Sequence, residues 1–204
     1  MTTLVTILTE GFADWEIGLL AATARAFYHL EVLHAAPDGR PVTSAGGLRV
    51  TPDLAIEDID LGRTDALVVI GGPIWRSKAA PALAGLLKRA HAQGVLIGGI
   101  CDGTRPLAMS GLLDQTGHTG NSPEGLADTG YAGRASYWDV PHAVLDNRIV
   151  TAPGTAPVSF MAEIMEGLGL ADRNLDFYLG LLAAEHGERL PPQSVAVPAL
   201  HAVS

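Results

Sequence analysis

GVLIGGICDGTRPLAMSGLLD, residues 94–114, passes from a continuous apolar run to a stretch of helical spacing and carries Cys101, the sole cysteine in 204 residues, at the junction. A short unbroken apolar run such as VLIGGI reads as a strand buried on both faces, and TRPLAMSGLL as the helix after it. A sharp strand-to-helix turn of this kind projects one side chain at the carboxyl end of a sheet. Gly99 and Gly103 flank it because a side chain at either place would collide with the neighbouring strand or helix, the geometry of a nucleophile elbow. The helix N-terminus favours an anion and is expected to lower the thiol pKa toward neutral. The plainer alternative is a small buried residue, since free cysteine is among the most buried types.

The rest of the chain alternates in the same way. TLVTIL (Thr3–Leu8), LEVLHAA (Leu30–Ala36) and DALVVIGG (Asp65–Gly72) read as strands. DWEIGLLAATARAFYH, capped by Asp14, and SKAAPALAGLLKRAHAQG, with Pro81 in its first turn and Gly94 at its end, read as helices. A small hairpin is expected around Ala45-Gly46-Gly47, and another pair of short strands around Asp146-Asn147. APVSFMAEIMEGLGL and DRNLDFYLGLLAAEH close the chain as helices. Alternating apolar strands and helices predict an α/β three-layer sandwich with a mostly parallel central sheet, flavodoxin-like, with the elbow at Cys101. One domain is expected over residues 1–187, followed by a proline-bearing tail over 188–204.

Composition narrows the function. A net charge of −9 argues against a nucleic-acid partner, because neutralising phosphates needs clustered Lys and Arg. No run of about 18 apolar residues marks a membrane span, and MTTLVTILTEGFADWE lacks the basic start of a secretory signal. A lone cysteine forms no internal disulfide, so a cytoplasmic setting is the expectation. No metal and no cofactor are expected, for the histidines lack zinc spacing, no dinucleotide GxGxxG follows the first strand, and GGICDGT has no phosphate-loop lysine.

Together, VLIGGICDGTRPLAMSGLLD, LTEGFADWEIGLL, DALVVIGGP and RIVTAPGTAPVSFMAEIMEGLG, in that order, resemble the ThiJ/PfpI superfamily, the class I glutamine amidotransferase-like fold. The resemblance implies that Glu16 is the glutamate that hydrogen-bonds the thiolate, and that the Gly71 and Gly72 amides, with that of Asp102, form an oxyanion hole. It also implies a homodimer. Glu16 reads independently as an acid in the first turn of a helix beside the sheet's carboxyl edge, which suits a helix start in any case. Two positions depart from the family pattern. Asp102 stands where the protease-like branch has histidine, which suggests a helix cap or an acid–base group. Aligning LLDQTGHTGNS on Leu113-Asp114 puts Asn121 where a catalytic histidine is usual, with His118 three residues earlier and facing the other way.

Trp75, His118, Asn121 and Trp138 are candidate walls of a small-molecule pocket, and Arg105 either binds an anion or pairs with an acid. The expected function is a cysteine-dependent enzyme acting on a small carbonyl, amide or C–N substrate, of hydrolase, hydratase or glyoxalase type. Peptidase activity is disfavoured by the missing histidine. The alternatives are a redox or stress-response protein working through oxidation of Cys101, and a non-catalytic binding protein.

Overall fold

The computed structural model describes residues 1–186, so the expected tail over 188–204 lies outside the described residues. The chain divides into two compact units, one of residues 1–170 and a second that begins at Ala171. In the second, Arg173–His186 forms a helix, α5.

The first unit is built on strands β1 (Thr3–Ile7), β2 (Glu31–Ala36), β5 (Leu54–Ala55), β6 (Ala66–Val69), β7 (Leu96–Ile100), β8 (Val144–Asp146) and β9 (Ile149–Ala152), in the order β5-β2-β1-β6-β7-β9-β8. Every neighbouring pair is parallel except β8 and β9. The order reverses between β1 and β6, so the loops leaving their carboxyl ends diverge and open a crevice there. The helices are α1 (Asp14–Ala22), α2 (Ala84–Ala92), α3 (Thr104–Met109) and α4 (Pro157–Gly167). The expected small hairpin is β3 (Val42–Thr43) with β4 (Arg49–Val50).

Glycines in β7 let helices approach both faces of the sheet. A Cβ on Gly98 would lie 3.0 Å from Ile164 and 3.2 Å from Phe160, both on α4, whereas one on Gly99 would lie 3.0 Å from Leu107 on α3. Successive side chains on a strand point to opposite faces, so adjacent glycines serve opposite helices. The α2/α3 face buries Val5, Ile7, Leu67, Val69 and Ile97 against Leu87, Ala90 and Leu107. On the other face Phe160 is fully buried. Phe160→Ala is expected to cost about 3–5 kcal/mol through lost apolar burial and the cavity left behind, read as a drop in the denaturant midpoint.

Three local expectations differ from the structure. Asp14 does not cap α1: the residue at the cap is Ala13, and the Asp14 carboxylate instead accepts from the Gly46 N–H at 2.7 Å. The second helix begins at Ala84 rather than before Pro81, and Pro73–Arg76 forms a separate 3₁₀ turn upstream. The turn between β8 and β9 falls at Asn147-Arg148, both in the left-handed region, one residue later than Asp146-Asn147.

Candidate active site

Four sequence segments end at the same edge of the sheet: α1 after β1, the glycine pair after β6, the elbow after β7 and the loop after β9. Parallel strands with short connections force this convergence, because every strand delivers its carboxyl end to one rim.

Cys101 sits at the elbow with φ of +56°, a left-handed conformation that costs an L-residue about 1–2 kcal/mol and persists only where its surroundings fix it. Here they do. A Cβ on Gly103 would run into the Val69 carbonyl, and the Thr104 hydroxyl donates to the Cys101 carbonyl at 2.7 Å. The thiol itself is half-buried.

Glu16 is fully buried in the first turn of α1. Its Oε2 accepts the Gly71 N–H at 2.7 Å, while Oε1 is buried facing the Cys101 thiol, with no other hydrogen-bonding group beside it among the described residues. A Cβ on Gly71 would lie 2.6 Å from Glu16 Oε2 and 2.7 Å from the Cys101 Cβ; one on Gly154 would lie 2.9 Å from the sulfur and 3.1 Å from Glu16 Oε1. Only glycine fits between carboxyl and thiol at either place. Asn121 completes the ring: its Nδ2 donates to the Cys101 sulfur at 3.1 Å, and its Oδ1 accepts the Gly154 N–H at 2.9 Å. The backbone amide thus fixes which end of the Asn121 side chain faces sulfur. The Trp15 indole N–H donates to the Gly154 carbonyl at 3.0 Å, tying α1 to the same loop.

Burial pushes the Glu16 carboxyl up from an ordinary 4.5 to about 8, against the pull of the Gly71 N–H and the Cys101 hydrogen bond. Burial, then the Glu16 charge, push the Cys101 thiol up to about 12, while Asn121 and the Asp102 N–H pull it down. The expected lowering by a helix terminus is therefore outweighed: α3 is six residues long, and desolvation with a second acid beside the sulfur dominates. The two groups titrate as a pair, each held above its ordinary value by burial, and the charge on Glu16 makes the thiol harder to ionise. Once its first proton is lost, the pair holds one negative charge and one proton to exchange.

The other candidates separate into those the structure brings to the thiol and those it does not. Gly71 spends its N–H on Glu16, so it holds the carboxyl rather than an oxyanion. The Asp102 N–H faces the sulfur. The Asp102 side chain caps no helix: Arg76 grips it with Nε at 2.7 Å and Nη2 at 2.6 Å. Trp75 is buried in the core with its indole N–H on the Ile70 carbonyl at 2.8 Å, a packing residue rather than a pocket wall.

His118 is fully buried, with Nδ1 2.7 Å from the Thr116 carbonyl and Nε2 2.7 Å from the Tyr131 hydroxyl. A carbonyl only accepts, so Nδ1 carries the proton and Tyr131 donates to Nε2; burial holds the ring's pKa down. Both ring nitrogens are engaged away from sulfur. Trp138 is exposed and lies over Gly117. Arg105 is buried and pairs with an acid, donating to Asp128, to the Trp75 carbonyl and to the Gly125 carbonyl. Sequence reasoning missed Arg76, Trp15 and Gly154, although Trp15 and Gly154 lie inside motifs already singled out and Arg76 stands just beyond DALVVIGGP.

The profile of the DJ-1/PfpI family matches residues 2–167. The chain belongs to the DJ-1/PfpI family. Within it, the chain is similar to the DJ-1 superfamily protein Atu0886 from Agrobacterium tumefaciens, 45% identical with a TM-score of 0.89, over 91% of this chain and all of that one. It is 31% identical over 165 residues to a Bacillus subtilis protein named uncharacterized protease YoaZ, covering 76% of this chain and 78% of the relative. It is 33% identical over 144 residues to the Caenorhabditis elegans glutathione-independent glyoxalase DJR-1.2, covering 68% and 74%. The seven-stranded, mostly parallel sheet is the three-layer α/β arrangement of the DJ-1/PfpI fold. Among the described residues no helix is long and apolar enough to cross a membrane.

Proposed function

We propose that this DJ-1/PfpI protein is a cysteine-dependent enzyme that converts small 2-oxoaldehydes to 2-hydroxy acids, with Cys101 as nucleophile and Glu16 as proton carrier. The observation that carries the reading is what surrounds the sulfur: one titratable carboxyl whose second oxygen meets no hydrogen-bonding group but the thiol among the described residues, and the neutral Asn121 amide in place of an imidazole. Amide hydrolysis must protonate a leaving amine as well as activate a nucleophile. Addition to an aldehyde expels nothing, so a single proton carrier suffices. A relative named as a glyoxalase supports the same direction.

The chemistry balances without an oxidant. Sulfur adds to the aldehyde carbon, its proton passing to the Glu16 carboxylate, and the carbonyl π pair becomes an oxyanion facing the Asp102 and Gly72 amides. Protonation of that oxygen from Glu16 gives a hemithioacetal. The Glu16 carboxylate then removes the C–H proton from the same carbon and passes it to the neighbouring ketone oxygen as the electron pair moves there, giving an enediol. Glu16 then takes the hydroxyl proton from the sulfur-bearing carbon and delivers it to the neighbouring carbon, which leaves a thioester, and water hydrolyses it to the 2-hydroxy acid and the free thiol. Because the pair must lose one proton first, the rate is expected to rise with pH through about 8 as a single ionisation.

The test is 2-oxoaldehyde consumption with 2-hydroxy acid quantified as product, in the wild type and in Cys101→Ser. A loss of about a thousandfold or more in Cys101→Ser is expected, the scale of a missing nucleophile. Equal rates in the two proteins, or consumption without hydroxy acid, would overturn the reading. The Glu16 oxygen beside the thiol also favours a second one, in which Cys101 is oxidised by peroxide to a sulfinate held by the Glu16 proton. Selective oxidation of Cys101 without turnover would point there. The reading places the protein in the cytoplasm, which suits an unpaired thiol, and takes it as a homodimer, as the family resemblance implies.

A further inference from the structure

We propose that Arg76 is a positioning residue of this site: by gripping Asp102 at two points it cancels the one acid that adjoins the nucleophile in sequence and keeps the Asp102 N–H aimed at sulfur. This rests on Cys101 being the reactive group, as proposed above.

The geometry asks for such a partner. Asp102 follows Cys101 directly, and its carboxylate is only 15% exposed, so its charge is poorly screened. Arg76 is the cation that contacts it. Glu16 faces the sulfur from α1, and Asp102 acts on both Glu16 and Cys101, making each harder to ionise. Asp128, on the 3₁₀ segment Glu124–Thr129, adds a further negative charge near Arg76, but Arg105 pairs with it. Arg76 is thus left to answer Asp102, and it does so with its Nε and Nη2 on the two carboxylate oxygens. A planar guanidinium matched to a carboxylate fixes orientation as well as charge.

Arg76 leaves the carboxyl end of β6 and Asp102 that of β7. The fork therefore bridges the two strand ends that carry Gly72 and the thiol. The Arg76 side chain is 51% exposed, and pairs that open to solvent contribute little to folding. Its effect is expected at the sulfur.

Four proteins test this: wild type, Arg76→Ala, Asp102→Asn and the double variant. Each is titrated by thiolate ultraviolet absorbance against its own Cys101→Ser background, which needs no reagent to reach the sulfur, and by alkylation rate against pH. A charge-cancelling role predicts shifts of opposite sign. Arg76→Ala leaves Asp102 uncancelled and lowers the thiolate fraction at a fixed pH about tenfold, whereas Asp102→Asn leaves Arg76 unopposed and raises it about tenfold. The double variant returns to within about threefold of wild type, and Arg76→Lys keeps the charge but loses the fork, falling between wild type and Arg76→Ala.

Shifts of the same sign in both single variants, the signature of a merely loosened elbow, would overturn the proposal, as would no shift in Arg76→Ala. Turnover of a 2-oxoaldehyde is read in parallel. Opposite shifts with no turnover in any protein would leave Arg76 its role and remove the glyoxalase-type reading; turnover with same-sign shifts would do the reverse.

Discussion

Glu16→Gln is expected to abolish turnover by about a hundred- to ten-thousandfold, the range of a lost general acid–base group, while making the thiol easier to ionise. Glutamine fills the same space, its oxygen can accept the Gly71 N–H, and its amide can donate to sulfur, but it carries no proton to exchange. The second-largest cause of the raised Cys101 pKa is the Glu16 charge, and the variant removes it. Alkylation of Cys101 should therefore accelerate in the same protein whose turnover collapses. If both fell together, Glu16 would be supporting the sulfur rather than moving protons.

The same variant has a consequence for stability whose sign follows from burial. Glu16 folds with its carboxyl held near 8 against 4.5 in a solvated chain, so between those values the folded protein binds a proton that the unfolded chain has released. Stability then falls as pH rises across that window. Glutamine does not titrate, so the variant's stability advantage over wild type grows from about pH 5 to about pH 8, measured as the difference in denaturant midpoint. A difference that stays flat with pH would mean that Glu16 ionises as easily folded as unfolded.

Gly103→Ala should destabilise the protein by about 3 kcal/mol or more, the upper range for forcing an atom into filled space. A Cβ there meets the Val69 carbonyl, part of the backbone of a strand paired on both sides, which has nowhere to retreat. The φ of Gly103 is −62°, so the penalty is one of space and not of backbone conformation. Gly18→Ala is the control: on α1, nothing lies within 4 Å of its Cβ position, and alanine there should stabilise by about 0.5–1 kcal/mol through helix propensity. Thermal midpoints of the two variants should move in opposite directions. A tolerated Gly103→Ala would mean that β6 and the elbow can separate.

The sheet was readable because each of its long central strands is one local apolar run, and local runs survive without knowledge of their neighbours. Cys101 was readable for a related reason, since a strand followed by a glycine-flanked turn marks the residue it projects, whereas Glu16 was singled out by the resemblance of LTEGFADWEIGLL to the family's first loop and helix. Aligning Leu113-Asp114 on the family pattern put Asn121 at the position that the structure brings to the sulfur. The misassigned amide at Gly71 and the unnoticed Arg76 show where this fails. Which of two adjacent glycine N–H groups faces a ligand depends on chain direction at the turn, and GG carries no mark of it. Arg76 meets Asp102 across 26 residues, and Trp15 meets Gly154 across 139, with nothing in either segment that points to the other. Trp75 and His118 were offered for the pocket on residue type, but an indole beside a free carbonyl, or an imidazole between a carbonyl and a phenol, is equally well served in the core.

The left-handed backbone at Cys101 bears on how this chain tolerates loss of its chemistry. Alanine or serine at 101 inherits the same unfavourable dihedral, whereas glycine adopts it freely. The most stable sequence at this position is therefore one without a thiol, and drift released from selection on activity should run toward glycine there. A relative with glycine at the elbow and an intact sheet would be a retired enzyme, recognisable by that single exchange before any assay.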